Sequence, residues 1–96
     1  MTTPDDPELA KIVEDEERQR RLDVMRWTWR RWQIYTIVRG GRVWWIASMH
    51  GQPTTAMRRL GIRQYCCRMS DARLATALDQ QEHLIRDRLP QIVRIA

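Results

Sequence analysis

Apolar residues are sparse before Leu22, crowded from Trp27 to Met49, and spaced at helical intervals from Leu74 to Leu89. The crowded stretch is the most legible. Two runs rich in β-branched and aromatic residues, Trp32 to Arg39 and Arg42 to His50, meet at Gly40-Gly41. Such residues suit a pleated, partly buried surface, and a Gly-Gly pair supplies the positive φ that a two-residue hairpin turn requires. Counting outward from that turn sets Arg39 opposite Arg42, Ile37 opposite Trp44, Tyr35 opposite Ile46 and Trp32 opposite Met49. Side chains alternate between the faces of a sheet. Trp32, Ile34, Thr36, Val38, Val43, Trp45, Ala47 and Met49 therefore share a core face. Arg31, Gln33, Tyr35, Ile37, Arg39, Arg42, Trp44, Ile46, Ser48 and His50 share the other face, an apolar centre rimmed by charge.

The flanking segments read as helices. Asp6-Pro7-Glu8 has the form of an N-cap, a proline at the first helical position and an acid in the first turn. A helix is expected from there to about Arg26, with Glu14–Arg18, Glu16–Arg20 and Glu17–Arg21 as favourably ordered i,i+4 pairs. Glu14 to Arg21 contains no apolar residue, so the middle of this helix should project into water. Near its start, Leu9, Ile12 and Val13 form a small apolar edge open to a partner or a second copy.

After the hairpin, His50 to Pro53 reads as a turn, Thr54 to Leu60 as one helical turn closed by Gly61, and Ile62 to Met69 as a third strand. Tyr65, Cys67, Met69 and Arg63 share one face of that strand; Ile62, Gln64, Cys66 and Arg68 share the other. Ser70 or Asp71 caps a second long helix, expected to stop before Pro90. Its stripe of Leu74, Leu78, Ile85 and Leu89, broken at Gln81 and Glu82, faces the Trp32/Trp45 side. Gln91 to Ala96 reads as a frayed tail or a short extra strand. The expected class is α+β in the order α-β-β-β-α: an N-terminal charged helix, a three-stranded antiparallel meander, and a C-terminal helix packed on one sheet face. The chain then divides into an acidic-to-basic helical arm over 1–26, a single small domain over 27–90 and a tail over 91–96.

Charge changes this picture more than composition does. Residues 1–17 carry seven acids against Lys11, a net of −6, while the rest carries sixteen arginines and five acids, a net of +11; together they make the chain's +5. An acidic arm sits on a basic body. Arginine is suited to phosphate and interface recognition by its planar fork, although a GC-rich coding sequence produces the same excess. The opening MTTPDDPELA lacks the basic-then-apolar pattern of a secretory leader, and no run approaches the roughly 18 apolar residues of a membrane span. A cytoplasmic protein without membrane contact is expected.

Catalytic signatures are missing. The chain contains no nucleophile elbow, phosphate-cradling glycine loop or framed carboxylate pair, and Ser48 with His50 is too little context for a dyad. His50 and His83 are isolated and no Cys-x-x-Cys spacing exists, so no metal or cofactor is expected. Cys66 and Cys67 are adjacent, which disfavours a disulfide between them; they read as small buried thiols.

Binding is what remains. Trp32 to Met49 followed by YCCRMSDARLATAL (residues 65–78) resembles, in element order, the small AP2-like arm-binding domains of phage and transposon integrases. That resemblance implies a three-stranded sheet lying in the major groove. With the first helix included, the order also resembles double-stranded RNA-binding domains. Ser70-Asp71-Ala72-Arg73 departs from the lysine cluster that opens the last helix there. For DNA or RNA, the expected contacts are Arg30, Arg31, Arg39, Arg42, Arg58, Arg59, Arg63 and Arg68 on phosphate or groove, with Trp44 and Tyr35 supplying apolar or stacking contact. The rival expectation is a protein-interaction module using Tyr35, Ile37, Trp44 and Ile46, an aromatic patch edged with arginine like many interface hot spots.

Overall fold

The computed structural model describes residues 7–95, with side chains over 7–92. Helix α1 spans Pro7–Thr28, strands β1 and β2 span Trp32–Arg39 and Arg42–Met49, and α2 spans Thr55–Arg59. Strand β3 spans Tyr65–Arg68 and α3 spans Asp71–His83. A π-helical turn, Leu84–Arg88, leads into α4, Leu89–Ile95. The architecture is the expected α+β arrangement, a three-stranded antiparallel sheet ordered β1-β2-β3 with helices on one side.

The hairpin forms in the register counted from its turn, from Arg39↔Arg42 to Trp32↔Met49. Gly40 and Gly41 both take positive φ, 62° and 75°, the backbone of a type I′ turn, whose twist matches that of the strands it joins. β3 is shorter than the expected Ile62–Met69 and pairs Ser48↔Tyr65, Ala47↔Cys66, Ile46↔Cys67 and Trp45↔Arg68. Ile62 lies outside the strand and is buried all the same.

The core fills the face predicted for it. Trp32, Ile34, Trp45, Ala47, Met49 and Cys66 from the sheet meet Leu74, Leu78 and Ile85 from the C-terminal helix, with Leu22 and Met25 from α1. The face thins toward the hairpin tip, where Val38 is exposed. The buried residues of α1, Leu22 and Met25, both come from its second half. The Arg26 Nε donates to the Ile34 carbonyl at 2.8 Å, and Glu14, Glu17, Arg18 and Arg21 overlie Val43 and Trp45.

The ion pairs along α1 differ in part from the expected set. Arg21 reaches Glu17 at 3.9 Å, but Arg18 pairs with Asp15 at 3.3 Å instead of Glu14. The proposed cap at Asp6 lies outside the described residues.

Two breaks in the pattern of the last helix have physical explanations. Gln81 and Glu82 interrupt its apolar stripe because they act as clasps at the edge of the core. Glu82 Oε1 accepts from the buried Trp32 indole at 3.1 Å and from Arg31 Nε at 3.0 Å. Gln81 accepts from the Arg63 amide at 2.8 Å and donates to the Gly61 carbonyl at 3.3 Å.

Pro90, expected to end the helix, does not. The preceding turn is π-helical, with the Leu89 amide bonded to the Leu84 carbonyl five residues back. A proline inside an α-helix clashes with the carbonyl four residues earlier and lacks an amide hydrogen; the wider π turn just before Pro90 gives the ring room against that carbonyl. Residues 89–95 are consequently helical, neither tail nor strand.

Candidate nucleic-acid interface

Among the described residues, no helix lies on the sheet face turned away from the core. Its rows follow from the register: Arg39 with Arg42 at the tip, then Ile37 with Trp44, then Tyr35, Ile46 and Cys67, then Gln33, Ser48 and Tyr65. Tyr35, Trp44 and Ile46 are half-buried by their neighbours alone, while Ile37, Tyr65 and Met69 are exposed. The result is a shallow aromatic and aliphatic platform with two arginines at one end.

Tyr65 belongs to this platform and was absent from the site expected from sequence. The hairpin register fixed only two strands. The alternation Tyr65, Cys67, Met69 is legible, but nothing in the chain before the third strand says which sheet face those residues join.

The eight candidate arginines do not form one surface. Arg39 and Arg42 occupy the rim of the platform. Arg63 and Arg68 line a groove of about 220 Å³ between β3 and α3, together with Tyr65, Gln80 and Gln81. Arg58 and Arg59 form the last turn of α2. Arg30 stacks over the Trp27 ring at 4.0 Å, and Arg31 is held by Glu82. Those last two are engaged within the protein. The other six have no carboxylate partner within the protein among the described residues.

The cysteines separate by face. Cys66 is buried in the core and Cys67 is exposed on the platform, so only the first is the buried thiol expected of both. Burial pushes the Cys66 thiol up from its ordinary value, and the Arg68 and Arg63 charges oppose that rise. Neutral, packed thiols of this kind are poor nucleophiles.

Among the described residues no group of three His, Cys, Asp or Glu side chains is disposed to hold a metal ion. No helix there is long and apolar enough to cross a membrane. No family model, curated protein or solved structure matches this chain.

Proposed function

We propose that the protein binds nucleic acid on the open face of its sheet, with Trp44, Tyr35 and Tyr65 meeting bases and Arg39 and Arg42 meeting phosphate. The observation that carries this reading is the pair of arginines facing each other at the platform's rim with no carboxylate between them. Like charges directly opposite on paired strands are unfavourable, and a polyanion relieves them. Aromatic side chains on a sheet are stacking surfaces for unpaired bases, each contributing roughly 1–3 kcal/mol. Arg63 and Arg68, in the groove between β3 and α3 at the sheet's edge, add to the positive field that draws the strand in.

The apolar centre of the same face favours one second reading, a protein partner seated on Tyr35, Ile37, Trp44 and Ile46. Interface hot spots combine aromatic residues and arginine in this way.

One experiment separates the two. Fluorescence anisotropy with labelled single-stranded DNA, duplex DNA and RNA, at low and moderate salt, should show binding that weakens steeply as salt rises. R39A/R42A should bind more weakly and lower the slope of log affinity against log salt by about two, one for each phosphate left unneutralised. Undetectable binding at low salt, or binding indifferent to salt, overturns the nucleic-acid reading and leaves the protein partner.

A further inference from the structure

The outer face of α1 carries a stripe that is apolar at its ends and charged at its centre. At about 100° per residue, Leu9, Val13, Glu16, Arg20, Val24 and Trp27 fall in one narrow stripe along the helix. Arg18, Leu22 and Met25, the residues turned to the body, fall on the opposite side. The stripe is apolar at both ends, and those ends are open to solvent: Leu9 51%, Val13 50%, Val24 64% and Trp27 74% exposed. A tryptophan that exposed on a helix is an unusual use of a large apolar ring. Between the ends stand one acid and one base, Glu16 and Arg20, neither with an ion-pair partner among the described residues, although both neighbours Arg18 and Arg21 have one.

Charge is divided along the same helix. Its first half, residues 8–17, carries five acids and one lysine, and residues 18–28 carry four arginines and one acid.

We propose that two copies of the chain associate through this face, their α1 helices antiparallel about a two-fold axis beside residue 18. That axis sets Leu9 against the partner's Trp27, Val13 beside the partner's Val24, and Glu16 against the partner's Arg20, each contact occurring twice. The acidic half of each helix then lies on the basic half of the other; a parallel pair would oppose acid to acid. A two-fold interface must be self-complementary, and this stripe is so in both charge and apolarity. Among the described residues the body meets the helix on the opposite side, at Leu22 and Met25, and leaves the stripe exposed. This inference is independent of the nucleic-acid reading, because it uses a different face.

The test is sedimentation equilibrium of the full chain from micromolar to millimolar concentration. The wild type should follow a monomer–dimer equilibrium. E16R and R20E each replace two attractive contacts per dimer by two repulsive ones and should weaken dimerisation by about tenfold, with unchanged circular dichroism. An equimolar mixture of E16R and R20E should recover wild-type affinity as a heterodimer, because each altered side chain then meets an opposite charge. Pairing within one helix cannot produce that recovery. A wild type that stays monomeric, a dimer indifferent to E16R, or a mixture no tighter than its components overturns the proposal.

Discussion

Arg39 and Arg42 are the two side chains on which the proposed binding turns most. They face each other across a turn whose glycines leave them no choice of position, and both are exposed. If the pair exists for an external anion, it works against the fold that carries it. R42E tests that opposition by turning repulsion into a cross-strand ion pair. The substitution should stabilise the free protein by about 0.2–1 kcal/mol, read by urea denaturation, while weakening nucleic-acid binding. A variant that gains stability and still binds like the wild type would show the arginines to be mere solvated charge. Trp44 and Trp45 illustrate how much one position decides: adjacent in sequence, they lie on opposite faces, Trp45 in the core and Trp44 on the platform.

Elements differed in how much of them the sequence disclosed, and the reasons are physical. The hairpin was legible down to its register, because Gly40-Gly41 leaves one way to close a two-residue loop. β3 was legible as a strand but not in its pairing, since residues 50–64 connect it to β2 without a tight turn to set the count. α4 was hidden behind Pro90, because a π turn has no marker in the sequence that distinguishes it from a helix end. The platform followed from the hairpin, except for Tyr65 and Cys67, which depend on the register of β3.

Glu82 read as a flaw in an apolar stripe and is the residue that fastens the C-terminal helix to β1. E82A leaves the indole N–H of Trp32, which is only 2% exposed, without its acceptor. It should cost about 1–3 kcal/mol of stability. E82Q retains an acceptor oxygen and should cost less. Equal thermal stability of E82A and the wild type would remove Glu82 from this role.

At the scale of the molecule, one layer of helices covers one sheet face and, among the described residues, leaves the other free, while charge is sorted along the chain into an acidic first segment and a basic remainder. A free face that is also the binding face must respond to ligand as one surface. Titration of isotope-labelled protein with a short single-stranded oligonucleotide, followed by amide NMR, reads that response residue by residue. Amides of Tyr35, Ile37, Trp44, Ile46 and Tyr65, with those of Arg39 and Arg42, should shift together and saturate, while amides of α3 and α4 stay in place. Shifts confined to the helical side, or none at saturating oligonucleotide, would contradict binding on the open sheet.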